Sequence, residues 1–250
     1  MKKFTLILVL ILSLNSCSSN MPVTPAALTQ EELSAINTSV SWLDQNVGFV
    51  NNETLHYFLN QNILTRLKTA AVASMMNQYE KDNLANLSWQ IYVLNTSQKN
   101  AFSIGNGVII LSKGLLLTLN SESEVASIVA HEMSHQILGE TQKALVDSIR
   151  DKKAQAFFFP IKEELTADKL TLSILYNANY TPSATINAYQ LAYRSEAEMF
   201  SGNSNEVNNT ILKERLEAIQ EALQKHGLSS LLPRKESTKE WKAVQAGIKK

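Results

Sequence analysis

The sequence contains a single cysteine and has few glycines and prolines. With Cys17 as the one thiol among 250 residues, the chain cannot form an internal disulfide. The 44% of hydrophobic residues are enough for one globular domain with a core. We therefore expect one domain that is stabilised by packing rather than by cross-links.

The sequence also lacks an excess of charge of either sign. Its 23 lysines and arginines balance 23 aspartates and glutamates, and no block of basic residues stands out. Binding to phosphate groups needs a concentrated cationic surface. Nucleic acid is therefore not expected as a partner.

Long hydrophobic runs are absent except near the N-terminus, where an apolar stretch covers Phe4 to Leu14. Lys2 and Lys3 precede this stretch, and small and polar residues follow it up to Cys17. This order is typical of a secretory signal, which we predict over residues 1–16. The run is shorter than the roughly 20 residues that a membrane-spanning helix needs. A short anchor that is never cleaved is the alternative.

The residues "LNSC" that end at Cys17 resemble the lipobox of bacterial lipoproteins, although Asn15 is unusual in it. The resemblance implies that Cys17 is lipidated and becomes the first mature residue. Ser18 follows Cys17, and the absence of an aspartate at this position resembles the sorting preference for the outer membrane. We therefore expect residues 17–30 to be a lipid-bearing flexible tether on the periplasmic face of the outer membrane of a diderm bacterium.

The rest of the chain shows helical periodicity, with one region that is typical of β-structure. "LSWQIYVLN" (87–95) and "AFSIGNGVIILS" (101–112) are rich in β-branched and aromatic residues, and "GNG" marks a turn. The pattern predicts a mainly α fold with a small β-hairpin or sheet. Helices are predicted over 31–47, 53–80, 113–119, 121–138, 140–157, 160–177, 182–200 and 209–226. The domain is expected to cover 31–232, followed by a polar tail over 233–250.

The segment "EVASIVAHEMSHQILG" (124–139) is an apolar helix that carries two histidines and a glutamate. Ser121 and Glu124 have the spacing of a helix-starting capping box, and Gly139 is typical of a helix end. Four residues separate His131 from His135, so both imidazoles project from one face of the helix.

This H-E-x-x-H spacing suits a metal-dependent hydrolase. Two imidazoles one turn apart can reach one ion, and zinc lowers the pKa of a bound water to around 7. Glu132 lies about 100° around the helix from His131, where its carboxylate can take a proton from water and pass it to a leaving amine. A structural pair of core histidines is the alternative.

A catalytic zinc ion needs a third protein ligand, and "PIKEELTAD" (160–168) offers carboxylates for it. Glu164 and Asp168 are four residues apart and share a helix face. We expect Glu164 to bind the metal and Asp168 to accept a hydrogen bond from a histidine ligand. Glu163 is a further candidate ligand, and a solvated acidic surface is the alternative.

H-E-x-x-H followed by E-x-x-A-D resembles the M48 family of zinc metallopeptidases. "NAFSIGNGVIILSKGLL" (100–116), "NANYTP" (177–182) and "ERLEAI" (214–219) resemble further segments of that family in the same order. The resemblance covers about residues 80–220.

The resemblance implies a gluzincin-type fold with one zinc ion per chain. It implies His131, His135 and Glu164 as ligands and Glu132 as the catalytic base, with the hairpin around 100–110 beside the cleft. Its edge could pair with an extended substrate backbone.

The chain departs from the family at Asn209, where family members commonly carry a histidine, so that histidine's role cannot be carried over. Arg215, Tyr189 and Tyr193 are candidates for stabilising the oxyanion.

These patterns predict a lipid-anchored zinc endopeptidase that cleaves misfolded or misassembled envelope proteins. One alternative is a zinc-bearing chaperone or assembly factor for outer-membrane proteins, working beside the envelope assembly machinery with slow or latent proteolysis. Another is a structural lipoprotein without a metal. Substitution of Glu132 separates the first alternative from the enzyme, because chaperone activity would survive it. Metal content tests the second.

Overall fold

The protein was analysed as a computed structural model, which describes residues 27–74, 77–152, 159–199, 204–228 and 238–248. The predicted signal peptide and Cys17 lie outside these residues. Most of the described chain is helical, as the sequence predicts. The helices are α1 (Gln30–Asn46), α2 (Glu53–Tyr57), α3 (Thr65–Ser74), α4 (Gln78–Asn86), α5 (Lys113–Leu116), α6 (Glu122–Ile137), α7 (Glu140–Asp151), α8 (Ile161–Asn177), α9 (Ala184–Met199), α10 (Ser204–Lys225) and α11 (Thr238–Ile248). A π-helical segment, Phe58–Leu64, joins α2 to α3.

The β-rich region forms one three-stranded sheet. Its strands are β1 (Gln90–Leu94), β2 (Ala101–Gly105) and β3 (Val108–Ser112), in the spatial order β1-β3-β2. β2 and β3 form the predicted hairpin, and β1 pairs with β3 in parallel. The turn "GNG" works because Asn106 and Gly107 both adopt positive φ, at 48° and 78°.

The central strand separates two apolar clusters. All five residues of β3 are buried, and they alternate between the two faces of the sheet. Ile109 and Leu111 face the large cluster that includes α6, whereas Val108 and Ile110 face a smaller cluster beneath α1 and α7. Strand β2, at one edge of this sheet, contacts both α6 and α7.

Helix α6 is the centre of the molecule, and all its residues are buried. Its start is fixed by Ser121, whose hydroxyl accepts a hydrogen bond from the backbone N–H of Glu124 at 3.2 Å. Buried hydroxyls on the helix are satisfied locally, as in Ser134, which donates to the carbonyl of Ala130 at 2.8 Å. The polar groups of this helix can therefore be buried without a large penalty.

Helix α8 packs beside α6 in the opposite direction. Glu164, near the start of α8, lies near His135, whereas Tyr180, just past its end, donates a hydrogen bond to Glu122 at the start of α6. Pro160 precedes the first residue of α8, as predicted, because proline is tolerated where a helix begins. The antiparallel arrangement places the polar faces of the two helices opposite each other.

The structure differs from the sequence-based expectation in two segments. The helix predicted over 53–80 contains the π-helical segment, and α4 begins separately after Asn77, which caps it. The residues assigned to a polar tail include α11, in which Trp241 is fully buried and donates to the carbonyl of Leu119 at 2.9 Å. Trp241, Val244 and Ile248 attach this helix to the large cluster.

Within the described residues, no helix combines the length and apolar composition that a membrane span requires.

Candidate metal centre

The two histidines of α6 point at a common position. Their Nε2 atoms are 3.1 Å apart, and the rings meet edge to face with centroids 4.5 Å apart. His131 and His135 are 2% and 1% exposed, so both rings are withdrawn from solvent. Burying two imidazoles this close together is costly unless other groups compensate their charge or coordinate with them.

Glu164 of α8 completes a three-residue cluster. Its Oε2 atom lies 3.3 Å from Nε2 of His131 and 3.7 Å from Nε2 of His135. This oxygen is buried, and the described residues give it no hydrogen bond of acceptable geometry. His131, His135 and Glu164 thus form a possible metal site.

The spacing of these three atoms fits a small divalent ion. Zinc with tetrahedral bonds of 2.0–2.1 Å holds its ligand atoms about 3.3 Å apart. The observed separations of 3.1, 3.3 and 3.7 Å surround that value. Two imidazoles and one carboxylate are also a donor set that suits zinc and leaves one coordination position for water or substrate.

On the side of His131, a buried ion pair supports the site. Asp168 accepts two hydrogen bonds from Arg215, at 2.8 and 2.9 Å, and one from the hydroxyl of Tyr189 at 2.8 Å. Oδ1 of Asp168 lies 3.2 Å from Nδ1 of His131, but the described residues give this nitrogen no hydrogen bond of acceptable geometry, so the predicted hydrogen bond stays a prediction. Arg215 also reaches Glu164, with Nη1 2.9 Å from Oε2.

On the side of His135, the neighbours come from a different part of the chain. Nδ1 of His135 donates to Oε2 of Glu140, at 2.6 Å, and Glu140 is the first residue of α7. The ring of Phe159 stacks on the His135 ring, with centroids 4.1 Å apart and an interplanar angle of 21°. Neither residue could be identified from the sequence, because their spacing from His135 matches no periodic pattern.

The protonation of the histidines reflects these carboxylates. Burial alone lowers the pKa of His135, but its hydrogen bond to Glu140 and the nearby carboxylate of Glu164 outweigh this and raise the pKa to about 10. Burial and the charge of Arg215 also act against protonation of His131, yet contacts with Asp168 and Glu164 leave its pKa raised. His135 therefore carries a second proton at neutral pH, which a metal ion would have to displace.

The carboxylates respond in different ways. Burial disfavours charge on Glu164, but the proximity of both histidines and the charge of Arg215 hold its pKa well below the ordinary value. Arg215 likewise outweighs burial at Asp168 and lowers the pKa of that group to about 2. For Glu140, burial dominates and the pKa is raised.

The other residues that the sequence suggested for the site lie at different distances from the cluster. Glu132 is buried beside the cluster, and its charge contributes to the raised pKa of His135. Glu163 lies outside the cluster, with its side chain 30% exposed and 3.9 Å from Nζ of Lys143. Tyr189 and Arg215 both hold Asp168. The side chains of Tyr193 and Asn209 lie outside the described part of the structure.

A comparison with known protein families identifies a match over part of the chain. Residues 65–161 match the model of peptidase family M48. The match includes α6 with its H-E-x-x-H sequence, and it ends just before Glu164 in α8.

Three curated relatives carry peptidase names. The chain is 26% identical over 128 residues to the mitochondrial metalloendopeptidase OMA1 of Arabidopsis thaliana, covering 43% of this chain and 26% of the relative. It is 22% identical over 162 residues to OMA1 of Schizosaccharomyces pombe, covering 56% and 48%. It is 32% identical over 74 residues to the beta-barrel assembly-enhancing protease of Yersinia pestis, covering 30% and 14%.

The chain therefore spans less than half the length of each of these relatives. Nevertheless, the family match includes α6, the helix that contributes His131 and His135 to the cluster. The family match and the related peptidases thus point to the helix that carries His131 and His135, and over this part of its length the chain is similar to peptidase family M48.

Proposed function

We propose that this chain is a zinc-dependent endopeptidase that holds one zinc ion with His131, His135 and Glu164. The convergence of three buried ligand atoms, 3.1 to 3.7 Å apart, is the observation that carries the proposal. When bound at such a site, zinc polarises a carbonyl and makes water acidic enough to react at neutral pH.

Glu132 is the proposed catalytic base. It follows His131 directly on α6 and is buried beside the ligand cluster. Its carboxylate accepts a proton from the attacking water, whose oxygen forms a bond to the scissile carbonyl carbon. The same carboxyl then delivers the proton to the leaving nitrogen as the C–N bond breaks, so Glu132 ends in its starting state.

Asp168 and Arg215 keep the ligand helices in place. The guanidinium bridges Asp168 and Glu164, so it joins the charged face of α8 to α10. The Nε2 atom of His131 has one lone pair, and Nη2 of Arg215 lies 3.2 Å from it. Binding of an ion to that lone pair therefore requires Arg215 to move away from Nε2 of His131, while its hydrogen bonds to Asp168 remain.

Strand β2 is the proposed docking edge for a polypeptide substrate. In the described sheet it pairs with β3 on one side and also packs against α6 and α7. An extended substrate can add to the edge of a sheet through its backbone, which favours binding of unfolded chain over a particular sequence. Backbone recognition of this kind supports polypeptide substrates of varied sequence.

The proposed location is the periplasmic face of the outer membrane, with a lipid on Cys17. Lys2, Lys3 and the apolar stretch from Phe4 to Leu14 support export, and "LNSC" supports lipidation. We propose misfolded or misassembled envelope proteins as substrates. The name of the Yersinia pestis relative, beta-barrel assembly-enhancing protease, also supports an assembly factor as a second candidate function.

The test compares metal content and proteolysis in four proteins. We expect about one zinc per wild-type chain and loss of most of it in Glu164→Ala, because two imidazoles without the carboxylate bind weakly. The control is Glu163→Ala on the same helix turn, which should keep its zinc. Glu132→Gln should keep zinc but lose hydrolysis of an unfolded protein such as casein.

The outcomes are distinct. A wild-type chain without zinc after reconstitution would contradict the metallopeptidase proposal. Equal zinc loss in the variants of Glu163 and Glu164 would show that the assigned third ligand is wrong. Zinc in all proteins without hydrolysis by wild type, combined with suppression of aggregation that survives Glu132→Gln, would favour the assembly factor.

A further inference from the structure

Glu140 makes the shortest contact to the candidate metal centre, and the proposed function assigns it no role. Its Oε2 lies 2.6 Å from Nδ1 of His135, and its side chain is 12% exposed. A hydrogen bond this short between a ring N–H and a carboxylate is of the charge-assisted kind. The position opposite Nδ1 is where a group that orients a metal-binding histidine would lie.

The contact depends on a break in the helix. In a continuous helix, a residue five positions after His135 would point about 140° away from it. Here α6 ends at Ile137, Gly139 adopts φ of 80°, and α7 begins at Glu140, so the chain turns back and the carboxylate reaches the ring. A side chain at Gly139 would have its Cβ 2.0 Å from the hydroxyl of Tyr79.

We propose that Glu140 is a positioning residue for the metal centre. By accepting the Nδ1 proton of His135, Glu140 fixes the tautomer in which Nε2 presents its lone pair to the ion. It also limits rotation of the ring, together with Phe159, which stacks on one ring face. This inference rests on the proposed function, because it assigns Nε2 of His135 to the metal.

Glu140 and Asp168 contact corresponding atoms of the two histidines but differ in how their charge is shared. Asp168 accepts hydrogen bonds from Arg215 and Tyr189, and it lies 3.2 Å from His131. Glu140 lies 0.6 Å closer to its histidine, from the 2.6 and 3.2 Å separations. The carboxylate of Glu140 is therefore expected to polarise its ring more strongly than Asp168 does.

The experiment measures zinc affinity and histidine tautomers in the purified 250-residue chain and its variants. Zinc affinity is determined by competition with a chromophoric chelator. The tautomer of each ring is obtained from the ¹⁵N shifts and long-range ¹H–¹⁵N couplings of the histidines in the zinc-loaded chain, where a metal-bound imidazole is neutral and carries one N–H. The variants are Glu140→Ala and the isosteric Glu140→Gln, with Asp147→Asn as the control, because Asp147 lies on α7 in an exposed pair with Arg150.

Loss of a group that orients a metal ligand typically costs 10–100-fold in affinity, and we expect about this loss in Glu140→Ala. Glu140→Gln should lose less, because its amide oxygen still accepts a hydrogen bond. In both variants the His135 signals should show a mixture of tautomers while those of His131 stay unchanged. Asp147→Asn should match wild type in both measurements.

Wild-type affinity together with an unchanged His135 tautomer in Glu140→Ala would overturn the inference and leave the proposed function intact. Loss of affinity with an unchanged tautomer would also overturn it, since Glu140 would then act through the fold. If Glu140→Ala fails to fold, as judged by circular dichroism, the same criteria apply to Glu140→Gln. Failure of the wild-type chain to bind zinc would overturn both proposals.

Discussion

His131 and His135 lie one turn apart on the same helix, but the residues around their rings come from different parts of the chain. The surroundings of His131 consist of Asp168, Tyr189 and Arg215, which α8, α9 and α10 contribute. We refer to these three residues as the α8–α10 network. His135 instead contacts Glu140 and Phe159, which follow α6 and precede α8 in the chain.

The difference indicates that the residues around His131 and those around His135 have different roles. The α8–α10 network joins three helices through buried charges, so damage to it should lower the stability of the whole fold. The contacts of His135 join neighbouring segments of chain, so their loss should chiefly affect how well the ring binds an ion. The predictions below test this distinction.

The largest effect is expected for Arg215→Gln. Arg215 is 4% exposed and makes two hydrogen bonds to Asp168. Breaking a buried ion pair on one side leaves an uncompensated charge and typically costs about 3–5 kcal/mol. We expect the free energy of unfolding in urea to fall by about that amount. The double variant Asp168→Asn/Arg215→Gln should recover part of the loss.

The matched control is Arg150→Gln, since Arg150 pairs with Asp147 and Asp151 at the surface. It should unfold like wild type, because exposed ion pairs contribute little. If both arginine substitutions had equal effects, the distinction between the two sides of the site would fail.

A second prediction concerns the pH dependence of metal binding. The pKa of His135 is raised to about 10, so at pH 7 an arriving ion has to displace a proton from this ring. Affinity should rise as pH increases from 6 to 9, by up to about tenfold per pH unit for each proton displaced. Calorimetry in buffers of different ionisation enthalpy measures that number directly.

The same measurement compares the two histidines. Glu140→Gln removes the carboxylate that raises the pKa of His135, so fewer protons should be released than in wild type. A wild-type chain that releases no protons at pH 7 would contradict the protonation assigned to His135.

A third prediction is smaller and concerns Tyr189→Phe. Its hydroxyl donates to Asp168 at 2.8 Å, and a hydrogen bond to a charged group contributes about 1.5–3 kcal/mol. Asp168 keeps Arg215 as a partner, so we expect a loss of unfolding free energy at the lower end, about 1–2 kcal/mol. Tyr57→Phe is the control, because Tyr57 is 65% exposed. A drop in zinc affinity without loss of stability would contradict this, because Tyr189 would then affect metal binding, as expected for the residues beside His135, and not the stability of the fold.

The ligand cluster could be predicted from the sequence because it lies within regular helices. His131 and His135, and likewise Glu164 and Asp168, are four residues apart, and a continuous helix keeps such residues on one face. The cap at Ser121 and the turn residues before β3 are equally local signals, and the structure confirms both, although the Glu124 side chain accepts a hydrogen bond from the N–H of Asn120 and not from that of Ser121. Local periodicity was therefore sufficient to predict which side chains come together wherever the helix is continuous.

Features that depend on breaks and long-range packing were missed. The position of Glu140 follows from the turn at Gly139, which periodicity does not describe. Helix α11 appeared polar, yet Trp241, Val244 and Ile248 have helical spacing that a search for i, i+3 and i+7 positions could have detected. For the π-helical segment, no local signal was present that would have distinguished it from an α-helix.

The smallest predicted effect is that of Phe159→Leu. The Phe159 ring stacks on His135 at 4.1 Å, and an aromatic pair contributes about 0.5–1.5 kcal/mol beyond the area it buries. Leucine keeps an apolar side chain but not the stacking, so His135 should hold its orientation less well. We expect zinc affinity to fall about 2–10-fold, while the free energy of unfolding changes little.

Phe49→Leu provides the control for this measurement. Phe49 stacks on Tyr92 at a centroid distance of 5.0 Å and packs against the smaller apolar cluster, apart from the metal centre. Its substitution should leave zinc affinity unchanged. If Phe159→Leu instead lowers stability and leaves affinity intact, Phe159 belongs with the residues that maintain the fold, and Glu140 alone distinguishes the His135 side.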